Sequence, residues 1–234
     1  MADTPVGRRI VLGMLGLGAA GVAFGSRVSD AISSLMAPVE ERDPTGLTSL
    51  VPAAGGFRYY SISDSEPART REDYQLTVGG LAERPGTYTY SDLSAMPQTR
   101  LVRDFQCVTG WRVPSVPWSG VLLSHLLDTV GAAPSARALS FTSFDGADTE
   151  SLTLDQARRP DVLIALGMYG QPLSRAHGGP VRLYVAPMYG YKSLKWLSGI
   201  TLTRDVVPGF WERNGYDVDG WVGRSNGRGD EPTS

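Results

Sequence analysis

Short apolar runs with a period of two dominate this chain and predict strands. Tyr74–Val78 alternates strictly and is closed by Gly79-Gly80, a strand and its turn. Tyr88–Tyr90 is predicted as a short strand, with Ser91 capping a brief helix over Asp92–Ala95 that Pro97 stops. Thr99–Gln106 reads as a strand. Two tryptophans and two prolines then precede a helix over Val121–Val130, where Leu122, Leu123, Leu126, Leu127 and Val130 recur at helical spacing and Gly131 ends the pattern. His125 falls on the other face of that helix and reads as a solvated residue. Ala138–Phe144 and Glu150–Leu154 read as strands around an Asp145-Gly146 turn, followed by a short helix over Leu154–Arg159. Val162–Met168 is an apolar strand turned by Tyr169-Gly170-Gln171-Pro172, and Val181–Ala186 and Trp196–Thr203 complete the set.

Strands do not alternate with long helices here, which excludes a doubly wound sheet and predicts a β-rich α+β domain with a few short helices over 57–234. Two segments precede it. Residues 1–25 carry Arg8-Arg9 and then an uncharged run, Ile10–Gly25, with five glycines. As a helix that run would span about 24 Å, short of a hydrocarbon core of about 30 Å. A basic pair before a short, weakly apolar run predicts a twin-arginine-like export signal. The best cleavage site, Leu35-Met36-Ala37, is a poor one, which leaves an uncleaved tether open. Residues 26–56 shift to Ser, Ala, Pro, Glu and Gly and read as a linker with a short helix over Val28–Met36.

Composition changes this picture little. The formal net charge is −2, with no clustered basic excess of the kind a nucleic-acid surface requires. Two counts do matter. Cys107 is the only cysteine, and Lys192 and Lys195 are the only lysines among 22 basic residues. A lone cysteine often serves as a small buried hydrophobe. In an exported chain, however, an unpaired thiol invites oxidation unless something ligates or uses it, which leaves a ligating or reactive role open for Cys107. Arg182, the two lysines and the N–H groups of a glycine-containing turn could form an anion cradle suited to phosphate. The competing reading is a solvated turn whose lysines face water. Cys107, His177 and Asp161 could also form a hydrolase triad, although no nucleophile-elbow signature surrounds the cysteine. One cysteine and two histidines make a poor zinc set.

Three motifs then occur in order: Cys107-Val-Thr-Gly-Trp111 with Trp118-Ser-Gly120, His177-Gly-Gly-Pro-Val-Arg182-Leu, and Tyr189-Gly-Tyr-Lys-Ser-Leu-Lys195-Trp. With this spacing the chain resembles the molybdopterin-binding domain of the sulfite oxidase superfamily, and within it the compact bacterial branch of periplasmic protein-methionine-sulfoxide reductases. The resemblance runs from about Gly56 to Arg204, with a family-like tail through Trp211 to Trp221. It implies a sulfite-oxidase-type fold and one molybdenum–molybdopterin centre. It makes Cys107 the catalytic sulfur ligand of the metal. It makes Tyr60, Ser61, Ser143, His177, Arg182 and the turn Lys192-Ser193-Leu194-Lys195 cofactor contacts. The chain departs from the bacterial pattern at Phe57-Arg58, where that branch carries an Asn-Asn pair, and at Thr109, where it carries an acidic residue; these positions bear on substrate rather than cofactor.

The implied activity is oxygen-atom transfer, with reduction of an S-oxide such as methionine sulfoxide the leading expectation. Sulfite oxidation on the same centre and a non-catalytic cofactor-binding role in a redox assembly remain the alternatives. No haem or iron–sulfur pattern is present in the sequence, so electrons would come from another protein, for which the resemblance implies a membrane b-type cytochrome. The expected location is extracytoplasmic, in the periplasm or on the outer face of the membrane. The expected substrate is a small or protein-bound S-oxide.

Overall fold

The computed structural model describes Phe57 and residues 67–233. The export segment, the linker, Tyr60 and Ser61 lie outside the described residues. Among the described residues, ten strands form two five-stranded sheets. The first sheet has the order β2–β1–β10–β5–β6, built from β1 (Gln75–Gly80), β2 (Gly86–Thr89), β5 (Ala138–Ser143), β6 (Thr149–Thr153) and β10 (Leu197–Thr203). Its β1–β10 pair is parallel and its other pairs antiparallel. The second sheet runs β3 (Gln98–Gln106), β4 (Arg112–Leu122), β7 (Val162–Met168) and β8 (Gln171–Pro172), with β9 (Arg182–Val185) also paired to β7. The helices among the described residues are short: α1 (Tyr90–Ala95), α2 (Leu123–Val130), α3 (Leu154–Ala157) and α4 (Phe210–Arg213). This is the β-rich α+β architecture expected from the strand pattern.

Strand β7 explains why the molecule has two cores. All seven of its residues are buried, so it reads as a continuous apolar run rather than an alternating one. Because side chains alternate across a strand, Val162, Ile164 and Leu166 enter one core while Leu163 and Ala165 enter the other. The first core lies between the sheets, where Leu76, Val78, Phe141, Ile200 and Leu202 meet Val121, Val185 and the buried face of α2. At about 1.5–3 kcal/mol per buried aliphatic side chain, Leu123, Leu126, Leu127 and Val130 hold a helix too short to persist alone. The second core is aromatic and gathers Phe57, Phe105, Trp111, Trp118 and Tyr184 on the far side of the second sheet.

Three local expectations need correction. The α1 cap is Thr89, not Ser91: its side chain accepts from the Asp92 N–H while Asp92 accepts from the Thr89 N–H, a reciprocal pair that starts the helix two residues earlier. Val121 and Leu122 belong to β4 rather than to the helix, because they pair with Ile164 and Leu163 of β7. The larger miss is β4 itself, an eleven-residue strand over the proline-containing stretch to which the sequence pattern assigned no element. Pro114 falls where pairing with β3 shifts register, beside Ser115 with φ of 53°. Pro117 lies beyond the last β4–β7 pair, Trp118↔Met168, and its carbonyl accepts from the Tyr169 N–H. Neither proline sits where an N–H is required by the ladder, so the strand tolerates both.

Candidate active site at the β3–β4 hairpin

Cys107 stands at the tip of the β3–β4 hairpin, where β3 has just left the ladder. Its N–H donates to the Trp111 carbonyl at 2.9 Å and its carbonyl accepts from the Gly110 N–H at 3.0 Å. The tight turn so closed needs the φ of +101° that Gly110 supplies. The thiol itself lies 3.2 Å from the Thr109 hydroxyl. Beneath the turn sits a buried polar network that sequence reading missed. Arg112 donates through Nε to Gln106 Oε1 at 2.6 Å and pairs with Asp104 at 3.4 Å, and Asp104 also accepts from the Ser115 N–H at 2.9 Å. Gln106 in turn donates to the Cys107 carbonyl at 3.0 Å. Only tertiary packing reveals that these ordinary strand residues brace the cysteine from behind.

From Cys107 a cavity of about 270 Å³ runs between the hairpin and the loops that follow β5 and β9. Its walls include His177, Arg182, Ser193 and Lys195, so four of the expected contacts converge with the cysteine. Arg182 is almost fully buried and donates to main-chain carbonyls: Nη1 to His177 at 2.9 Å, Nη2 to Ser193 at 2.6 Å and Nε to Leu183 at 3.3 Å. The guanidinium also lies over the rings of Phe105 and Trp118. Burial draws its pKa down to about 10, which still leaves it charged at neutral pH. Among the described residues no carboxylate forms a salt bridge with it, and a buried cation in that position is suited to an anion. His177 is held neutral: burial first, then the charges of Arg182 and Lys195, depress its pKa to about 3.

Other expected contacts stand elsewhere. The Ser143 hydroxyl is buried and bonds within its own turn, to the Asp145 carboxylate and to the Asp148 main chain at 3.1 Å. It thereby shapes the loop that carries Asp145 and Asp148 into the cavity wall. In the sequence Asp145 is marked only as a turn residue, and no local pattern singles out Asp148. Burial, with the nearby Asp145 charge, raises the Asp148 pKa to about 7. The Leu194 side chain packs in the first core. Lys192 belongs neither to the cradle nor to a solvated turn: it is fully buried and bonded to Glu150 and Glu212. The hydrolase triad is not assembled either, since Asp161 lies at the far end of β7 in a two-bond pair with Arg159.

Among the described residues no three His, Cys, Asp or Glu side chains are arranged to hold a metal ion. A metal bound at Cys107 would have one soft protein ligand there and would need the remainder from a cofactor. A pterin dithiolene would supply such ligands, and the buried guanidinium with Lys195 would suit its phosphate. A model of the oxidoreductase molybdopterin-binding domain matches residues 64–211. The chain belongs to this family. The molybdopterin-binding chain is 35% identical over 147 residues to the uncharacterized oxidoreductase YuiH of Bacillus subtilis, covering 63% of this chain and 74% of that one. It is 31% identical over 196 residues to the protein-methionine-sulfoxide reductase catalytic subunit MsrP of Ralstonia nicotianae, covering 75% of this chain but only 59% of that protein. Among solved structures it resembles the sulfane dehydrogenase SoxCD from Paracoccus pantotrophus, with a TM-score of 0.57, 24% identity and coverage of 62% of this chain and 41% of that one. That likeness shows a shared fold.

Proposed function

We propose that this molybdopterin-dependent oxidoreductase reduces S-oxides, with the thioether oxide of methionine as the substrate class that suits its cavity best. One observation carries the reading: a single cavity joins the sole thiol to the buried Arg182 and to Lys195, while the rest of its wall is largely aromatic. Cys107 would be the protein ligand of one molybdenum centre. Arg182, Ser193 and Lys195 would hold the anionic end of the cofactor, and neutral His177 would offer a hydrogen bond without adding charge. Tyr60 and Ser61 would complete the contacts from the preceding segment. When bound, the cofactor supplies oxygen-atom-transfer chemistry.

The chain's own residues do the remaining work. Binding of the cofactor's anionic end would engage the cations, leaving Phe57, Trp111, Trp211 and Tyr216 to receive a neutral, apolar sulfur substituent. Sulfite, an anion, gains little from such a wall. Reduction of an S-oxide to a thioether and water consumes two electrons and two protons, so the chain needs an electron donor. A membrane b-type cytochrome is proposed for that role. Export through the Arg8-Arg9 segment would place the domain beside it, outside the cytoplasm. The similarity to a methionine-sulfoxide reductase catalytic subunit supports the substrate class.

The deciding experiment supplies the purified, cofactor-loaded protein with a reduced viologen and methionine sulfoxide, and separately with sulfite and an artificial oxidant. Turnover of the S-oxide with molybdenum bound is expected. Sulfite turnover alone would reverse the assignment, and a loaded protein active on neither would make it a binding component of a redox assembly.

A further inference from the structure

The fully buried Lys192 is the one lysine that the cavity does not use, and its surroundings give it another task. Its ammonium bonds to Glu150, at the start of β6, and to Glu212 of α4 at 2.6 Å. All three side chains are within 1% of full burial. Burial, and then the hydrogen bond it donates to Glu212 when protonated, push the Glu150 pKa well upward. Burial also acts on Glu212, but the Glu150 hydrogen bond and the Lys192 charge outweigh it and hold Glu212 ionised. One ammonium, one carboxylate and one carboxylic acid form a neutral cluster, which is how three ionisable groups can remain in the interior.

The cluster ties three segments at one point: β6, the 3₁₀ turn Gly190–Lys192, and the tail after β10. The tail lies directly on the lysine, since a Cβ at Gly220 would run into the Lys192 stem and the Tyr191 hydroxyl. Tyr191 donates to the Asp217 carbonyl at 2.7 Å, and the Tyr189 N–H donates to the Gly220 carbonyl at 2.7 Å. Glu212 is flanked in the chain by Trp211, and the Tyr216 N–H returns to the Trp211 carbonyl at 3.2 Å. The Trp211 and Tyr216 rings meet edge to face at 5.5 Å, and Tyr216 meets Tyr191 at 5.3 Å. All three rings line the cavity. The family match ends at residue 211, so Tyr216 and most of the strap that carries it lie beyond it.

We propose that Lys192, Glu150 and Glu212 form a latch that holds Trp211 and Tyr216 as the substrate-facing wall of the cavity, making Lys192 a positioning residue for substrate rather than a cofactor contact. The substrate class rests on the S-oxide reading above; the latch itself rests on the contacts. With the latch intact, the aromatic wall is ordered before substrate arrives, and binding need not supply that order. Without it, the wall must be ordered at the moment of binding, which raises KM more than it lowers kcat.

The test uses the full, cofactor-loaded protein carrying Lys192→Met. Because that change leaves the two acids without their cation, Lys192→Met/Glu212→Gln is prepared as a neutral version that keeps the core uncharged. Three quantities are measured: bound pterin, released and read by its fluorescence; amide exchange of residues 209–216; and kinetics with methionine sulfoxide. Pterin content close to wild type, faster exchange in the tail and KM raised about tenfold, the scale of ordering two side chains on binding, are expected in both variants. Loss of pterin with tail exchange unchanged would overturn the proposal and return Lys192 to the cofactor. Unchanged exchange and unchanged KM would overturn it as well. A wild-type protein without S-oxide turnover would instead sink the substrate reading, and the exchange and pterin measurements would still decide the latch.

Discussion

The Nη2 of Arg182 lies 2.6 Å from the main-chain carbonyl of Ser193, so the most buried cation of the cavity is fastened to the turn that precedes Lys195. Strand β9 and the turn are thus one unit, further joined by the Val185 N–H donating to the Ser193 hydroxyl at 3.0 Å. An arginine anchored in this way presents its remaining N–H groups in a set direction, as a flexible ammonium could not.

Arg182→Lys is therefore expected to fail almost as badly as Arg182→Ala in holding the cofactor. Lysine cannot reach His177, Leu183 and Ser193 together, whereas Lys195→Ala removes a single charge-assisted bond worth about 1.5–3 kcal/mol. Molybdenum and pterin content of purified variants checks this. Full occupancy in Arg182→Lys would show that charge alone, not the fork geometry, is required.

Cys107→Ser should fold normally, because its turn is closed by main-chain bonds that serine retains, but it should lose the molybdenum signal and turnover. In cofactor-free protein, the Thr109 hydroxyl 3.2 Å from the sulfur is placed to donate to a thiolate. Thr109→Val should then slow alkylation of Cys107 at neutral pH, measured with iodoacetamide. A faster or equal rate would mean that the hydroxyl accepts rather than donates.

The network beneath the turn is expected to be costly to break. Arg112→Ala leaves Asp104 buried without its partner, a change worth about 3–5 kcal/mol for a buried pair, and removes the brace on Gln106. Denaturant midpoints would show the loss. A variant within 1 kcal/mol of wild type, about the value of an exposed pair, would contradict the burial argument.

Two cavity residues should tilt the pH dependence of cofactor-free protein in opposite directions. His177 takes a proton at about 6.5 when unfolded but only at about 3 when folded, so it erodes stability as pH falls through that window. Asp148 loses its proton near 3.8 unfolded and near 7 folded, so it erodes stability as pH rises through that one. His177→Gln should raise stability most at pH 4, and Asp148→Asn most at pH 8. Thermal melts across pH 4–8 test both; changes of opposite sign would refute the assigned environments.

Much of this molecule could be read from one dimension. Strand β7 is delimited residue for residue by its apolar run, and α2 keeps its Gly131 stop, because period and chain punctuation are local properties. The family follows from motif spacing, which singles out Cys107, His177, Arg182, Ser193 and Lys195, and the structure lines one cavity with all five. Strand β4 was hidden because its prolines look prohibitive until the partner strands show that no N–H is missed there. Asp148, Trp211 and Tyr216 reach the cavity from distant segments, and no local pattern marks that meeting. Lys192 is the sharpest case. Its neighbours in sequence made it resemble Lys195, three residues away, yet one lysine faces the cavity and the other the interior. Which way each points depends on where Glu150 and Glu212 arrive, 42 and 20 residues away, and that is settled only when the sheet and the tail close around them.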